Sequence, residues 1–182
     1  MKKAYILLAE GFEVIEALAP IDILCRAGVK VQKVAVGESL IVSSSHNHTT
    51  LLCHSKIEDT AFDDGDIIIL PGGNPGYVNL GRSKEVIGIV QRFYEQGRLI
   101  AAICGAPTIF AIAGIAKEHS ITYHSSVRDM MSEYHYAEKS VIKDRNIITA
   151  AGAGHSIAFG IEIAKCLVDA DTLSRTQQGL EL

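Results

Sequence analysis

The residue with the most chemistry available to it is Cys104, which ends the apolar run Leu99 to Ile103 and precedes Gly105, Ala106 and Pro107. The run reads as a central parallel strand, and Ile109, Ile112, Ala113 and Ala116 follow at helical spacing. A nucleophile at a strand-to-helix turn, flanked by small residues that let a ligand reach the backbone, is a nucleophile elbow. At such a turn the helix N-terminus favours a thiolate, so Cys104 is expected to titrate below a free cysteine. Two plainer readings compete. Free cysteine is commonly inert core, and Leu99 to Ala116 is long and apolar enough to suggest a membrane span. Gly105 and Pro107 near its middle favour strand, turn and helix.

Three other strand ends carry residues that could serve the thiol. Ala4 to Ala9 reads as a first buried strand, followed by the Glu10 turn with Glu13 and Glu16 beyond it. Asp66 to Leu70 reads as another, running into Pro71-Gly72-Gly73-Asn74-Pro75-Gly76. Ile121 to Tyr123 leads to His124. Each has an ordinary explanation on its own: a glutamate in a first helical turn complements the dipole, Pro-Gly-Gly is a turn, and a lone histidine is a satisfied polar group. Open α/β sheets bind ligands beyond the carboxyl ends of their strands, so convergence of the four on one edge is the stronger reading.

The elements that must position them alternate. Glu13 to Ala27 has helical periodicity, with Pro20 expected to kink or divide it and Gly28 as its stop. Val29 to Val36 is a second strand, and Gly37 to Ser55 reads as a hairpin or flap appended to the sheet. Val86 to Tyr94 is a helix ending at Gly97, and Ser126 to Ser132 a helical turn. Ser140 to Lys143 and Asn146 to Ala150 form a hairpin, and Ser156 to Val168 is a helix after Gly152-Ala153-Gly154. The pattern predicts an α/β sandwich, a mainly parallel sheet with helices on both faces, as one domain over residues 1–182.

Composition narrows the function classes. Hydrophobic residues make up 48% and charged ones 21%, with a net charge of −4, so neither nucleic acid nor an anionic membrane is an expected partner. Cys25, Cys53, Cys104 and Cys166 show no CxxC pair or zinc-like spacing, which suits free thiols in a cytoplasmic protein. His46 and His48 would share a strand face and could bind a metal, but no third ligand is apparent, and an exposed flap is the favoured reading.

Ala101 to Thr108, Leu70 to Asn74, the Glu13-x-x-Glu16 segment and the His124 strand end together resemble the ThiJ/PfpI superfamily, in the branch of the parkinsonism-associated deglycase. The resemblance also takes in Arg26 to Val31 and Gly152 to Gly154, and so covers nearly the whole chain. It implies a flavodoxin-like fold, a homodimer, Cys104 as reactive thiol, Glu16 as the carboxyl beside it and His124 as the nearby imidazole. Gly72, Gly73 and Gly105 would offer an oxyanion or substrate site, with Ala153 and His155 in the pocket wall. The protease-like branch has histidine where this chain has Gly105, which argues against a peptidase. Close relatives have Gly-Pro-Gly at 152–154, and their flap arginine has no evident counterpart here.

The chemistry follows from the residues as well. A thiolate adds to an aldehyde, and its oxyanion needs N–H donors. Glu16 beside a thiolate should hold its proton and could relay it as an α-oxoaldehyde such as methylglyoxal becomes lactate, with no metal or organic cofactor. The rival readings are an oxidation-sensing or chaperone-like protein that uses the same thiol, and a peptidase or amidotransferase-like hydrolase.

Overall fold

The computed structural model describes residues 1–47 and 49–182. In chain order they form β1 (Lys3–Leu8), α1 (Val14–Arg26), β2 (Lys30–Ala35), β3 (Ile41–Ser43), β4 (Thr50–Leu52) and β5 (Ser55–Lys56). Then come β6 (Ile67–Leu70), α2 (Gly76–Arg82), α3 (Lys84–Glu95), β7 (Leu99–Ile103) and α4 (Thr108–Ala113). The chain continues with β8 (Ser120–Ile121), β9 (His135–Tyr136), β10 (Val141–Asp144), β11 (Ile147–Ala150), α5 (Ser156–Leu167) and α6 (Ala170–Gln178).

Seven strands make one sheet in the order β10-β11-β7-β6-β1-β2-β5, parallel throughout except for the β10–β11 hairpin. This is the flavodoxin-like α/β sandwich. Strands β6 and β7, at the middle of the sheet, are apolar at every position because both faces are covered. Strand alternation divides them: Leu7, Ile68, Leu70, Ile100 and Ala102 pack with Leu80, Phe93 and Phe110 from α2, α3 and α4. Ile6, Leu8, Ile69, Ala101 and Ile103 pack on the other face with Leu24 of α1 and Phe159 of α5. Every loop that could bear chemistry is thereby pushed to the edge where β1, β6, β7 and β11 end.

Several sequence expectations change in detail. Helix α1 runs undivided through Pro20. The proline is buried where α5 comes close, so that a Cβ on Gly160 would lie 3.2 Å from Pro20 Cα, and packing holds the helix across the missing N–H. Helix α4 is only six residues long, and Gly114 stops it at φ 69°. The flap is a separate antiparallel ribbon, β3–β4. Strand β8 pairs with β9 outside the main sheet. Helices α2 and α6 lie where the sequence reading placed no helix; Asp169 caps α6 by accepting from Thr172 N–H at 2.7 Å. All four cysteines are free. No helix among the described residues is long and apolar enough to cross a membrane.

Candidate active site

Cys104 sits one residue beyond β7 in left-handed conformation, φ 64°. A non-glycine residue there costs about 1 kcal/mol, and the surrounding backbone holds it in place. Cys104 N–H donates to Ala150 O at 2.9 Å, continuing the ladder to β11, and Cys104 O accepts from His124 N–H at 2.9 Å. Gly105 O accepts from the Thr108 hydroxyl at 2.7 Å, which closes the turn. The ring of Tyr77 covers Gly105: a Cβ on that glycine would lie 2.6 Å from the ring. No spacing in the sequence points to Tyr77, which follows the Pro71–Gly76 run.

Glu16, in the first turn of α1, is fully buried. Its Oε2 accepts from Gly72 N–H at 2.8 Å, while Oε1 has no hydrogen-bond partner among the protein's nitrogens and oxygens. Gly72 separates the carboxyl from the cysteine so narrowly that a Cβ on it would lie 2.6 Å from Glu16 Oε2 and 2.8 Å from Cys104 Cβ. Gly73, at φ 90°, leaves no more room: a Cβ on it would come 2.4 Å from Glu13 N. The loop before α1 is tied down by Glu13 N–H donating to Gly72 O at 3.0 Å.

Burial pushes the Glu16 carboxyl up to about 7; hydrogen bonding to Cys104 and Gly72 opposes the shift, and the Glu13 charge adds to it. Burial, then the charge and hydrogen bond of Glu16, push the Cys104 thiol up to about 12, against the N–H groups of Gly105 and Gly73. The depressed thiol expected from the elbow is therefore not what the site provides. Helix α4 is too short to supply much dipole, and it starts four residues beyond the sulfur. The two groups titrate as a pair, losing one proton near neutrality and the other only in strong alkali. Between those limits the pair holds one proton.

The raised Glu16 value has a sign for stability. The folded protein binds this proton more tightly than the unfolded chain, so the stabilisation is complete below the ordinary 4.5 and is lost as pH rises through about 7. Wild type is expected to lose about 3 kcal/mol over that window relative to Glu16→Gln, read by urea denaturation at each pH. Equal slopes in the two proteins would show an ordinary carboxyl.

His124 is exposed, and its Nδ1 accepts from Ser126 N–H at 3.2 Å and lies 2.8 Å from the Ser126 hydroxyl. With Nδ1 accepting from Ser126 N–H, Nε2 is the ring nitrogen left to donate. The ring lies beside Gly152, whose added Cβ would be 3.3 Å from His124 Cδ2. Ala153 and His155, both half-buried, follow β11, with His155 N–H donating to Gly152 O at 2.9 Å. The structure thus gathers Glu16, Gly72, Gly73, Cys104 and Gly105 tightly. It anchors His124 to Cys104 through the backbone and sets Ala153 and His155 at the same edge. Ser126, which orients His124, was not singled out from the sequence. His48 lies outside the described residues, so the two-histidine metal reading cannot be placed on the structure. Among the described residues no group of three or more His, Cys, Asp or Glu is placed to hold a metal.

The DJ-1/PfpI family model matches residues 2–166. The chain belongs to the DJ-1/PfpI family. It is 34% identical over 181 residues to Drosophila melanogaster protein dj-1beta, covering 98% of this chain and 96% of that one. It is 33% identical to the Danio rerio Parkinson disease protein 7 homolog, covering 100% of this chain and 97% of the other. A Schizosaccharomyces pombe relative named glutathione-independent glyoxalase DJ-1 is 29% identical, with 100% of both chains covered. The crystal structure of Drosophila DJ-1beta superposes with a TM-score of 0.95 at 33% identity, covering 100% of this chain and 98% of that one. The elbow and the carboxyl beside it are thus found on a DJ-1/PfpI fold.

Proposed function

We propose that this protein is a cysteine-dependent enzyme of α-oxoaldehydes, a glyoxalase or deglycase that converts methylglyoxal to lactate without glutathione or another cofactor. The observation that carries this is the fully buried Glu16, set against Cys104 across Gly72, whose carboxyl burial pushes up to about 7. The S. pombe relative named as a glutathione-independent glyoxalase lends support.

The Cys104 thiol passes its proton to Glu16 as the sulfur attacks the aldehyde carbon; a C–S bond forms and the carbonyl π bond breaks. The oxyanion, met by the N–H groups of Gly73 and Gly105, takes that proton from Glu16, which is left as a carboxylate. Glu16 takes the hydrogen of that carbon as a proton and returns it to the neighbouring carbon. The former aldehyde carbon is thereby oxidised to a thioester and the ketone carbon reduced to an alcohol. Water adds to the thioester, the C–S bond breaks, and lactate leaves as the thiol regains its proton. His124 Nε2–H is available to the substrate oxygen or to that water. The test is lactate formed from methylglyoxal in thiol-free buffer. Wild type is expected to make it, and Cys104→Ser to be slower by about a thousandfold or more. Equal rates would overturn the reading.

Oxidation of the same thiol is a second reading, supported by its partial exposure beside the Glu16 carboxyl. A Toxoplasma gondii DJ-1 described as oxidized is 25% identical, with a TM-score of 0.93 over 99% of this chain and 98% of that one. A peptidase is disfavoured because Tyr77 fills the space a side chain at 105 would need.

We also propose a homodimer. Ile15 and Leu18 of α1 lie 46% and 37% exposed, alongside Ile157 at 50% and Leu182 at 62%. An apolar groove of this kind suits a second copy. Light scattering should give about twice the 19.6 kDa chain mass, and a mass of one chain would remove the proposal.

A further inference from the structure

The edge of the sheet that bears the site carries charge of one sign. Segments 9–16, 71–81, 103–116 and 150–158, which carry or adjoin the site residues, contain no lysine or arginine, although the chain has 17 such residues. The same segments hold Glu10, Glu13 and Glu16. Glu16 lies inside, against the sulfur, and the other two sit on the loop that covers Gly73. Glu13 is half-buried, with Oε2 accepting from the Ser45 hydroxyl at 3.4 Å, and its charge reaches Glu16. Glu10 is exposed; its carboxylate oxygens accept from Ser43 N–H at 3.1 and 3.2 Å, and its carbonyl accepts from Asn79 Nδ2 at 2.8 Å.

These bonds hold both carboxylates in place without neutralising them, since their partners are an amide and a hydroxyl. Lys117, which directly follows 103–116, pairs with Glu133 at 2.6 Å. Arg128 lies over the Tyr136 ring, and Arg82 lines a separate cleft with Glu38, Glu58 and Glu85. Tyr77 and His155 are further titratable groups of these segments, His124 stands beside Gly152, and His46 follows Ser45 on the flap.

We propose that Glu10 and Glu13 form an acidic collar that admits uncharged and cationic carbonyl compounds to Cys104 and turns anionic ones away. An α-oxoaldehyde without a carboxylate, or one already joined to the basic side chain of a protein, meets no repulsion. One ending in a carboxylate or phosphate does, at a site with low-dielectric walls that strengthen the field. The assignment of substrates rests on the enzymatic reading above; the collar itself does not.

The test therefore begins with a reaction that needs no turnover. Alkylation of Cys104 by neutral iodoacetamide and by anionic iodoacetate is followed by peptide mass spectrometry, so that Cys25 does not contribute. The ratio of the two rates, divided by that of free cysteine, is expected to be about tenfold at low salt and to fall towards one at about 0.5 M salt. Glu10→Gln and Glu13→Gln keep an acceptor for Ser43 and Ser45, and each should lower the ratio about two- to threefold, the double variant furthest. A ratio near one in wild type, or a high ratio that the double variant leaves unchanged, would overturn the collar. The second arm compares kcat/KM for an α-oxoaldehyde bearing a terminal carboxylate with that for its methyl ester. The ester should be preferred in wild type and the preference reduced in the double variant; an undiminished preference overturns the collar. If neither compound turns over while the alkylation ratio responds as expected, the enzymatic reading fails and the collar stands.

Discussion

Glu16→Gln is expected to lower kcat/KM for methylglyoxal by about a hundred- to ten-thousand-fold while making Cys104 easier to alkylate near neutral pH. The two effects have opposite signs for one reason. Glutamine fills the same volume and can still offer an N–H to the sulfur, but it cannot accept a proton from one carbon and return it to the next, and a general acid–base of this kind is worth about that much. The thiol is pushed up to about 12 first by burial and then by the Glu16 charge and hydrogen bond. Removing the charge relieves the second cause and leaves the Gly105 and Gly73 N–H groups to lower the thiol. A misfolded variant would not lose turnover while keeping an orderly, faster alkylation at Cys104. Unchanged turnover would reduce Glu16 to a buried carboxyl near a helix N-terminus.

Gly72→Ala should cost about a hundredfold in kcat/KM although it adds a single methyl group. Gly72 is not left-handed, so alanine can adopt its backbone; the conflict is spatial. The new methyl would stand 2.6 Å from Glu16 Oε2 and 2.8 Å from Cys104 Cβ, between the two groups of the titrating pair. Neither can retreat easily, because Glu16 is fully buried and Cys104 is held by Ala150 and His124. Displacements near 1 Å at reacting groups cost rates of this order, and overpacking costs about 1–3 kcal/mol in stability. The variant should therefore melt lower yet still fold, as circular dichroism would show. Full activity in a folded Gly72→Ala protein would mean that Glu16 and Cys104 need not stay in register.

Much of this site was legible before the structure, for local reasons. A nucleophile between an all-apolar strand and helical spacing has few other conformations, and Cys104 at φ 64° is the expected elbow. Strand ends at Leu70, Ile103 and Ala150 followed from runs buried on both faces. What stayed hidden depends on contacts far apart in sequence. Tyr77 reaches Gly105 from a helix that opens on Pro75 and Gly76, residues that read as loop. The α6 segment is mostly polar, so only the Asp169 cap marked it. The thiol was expected low because a dipole can be read from a pattern, whereas full burial of the neighbouring carboxyl cannot.

The account rests on a proton held by Glu16 at working pH, and the most direct measurement is the carbon-13 shift of the Glu16 side-chain carboxyl followed against pH by NMR. It should titrate with a midpoint of about 7. A midpoint at the ordinary 4.5 would contradict the account, because Glu16 would then be a bare carboxylate with no proton to share with Cys104.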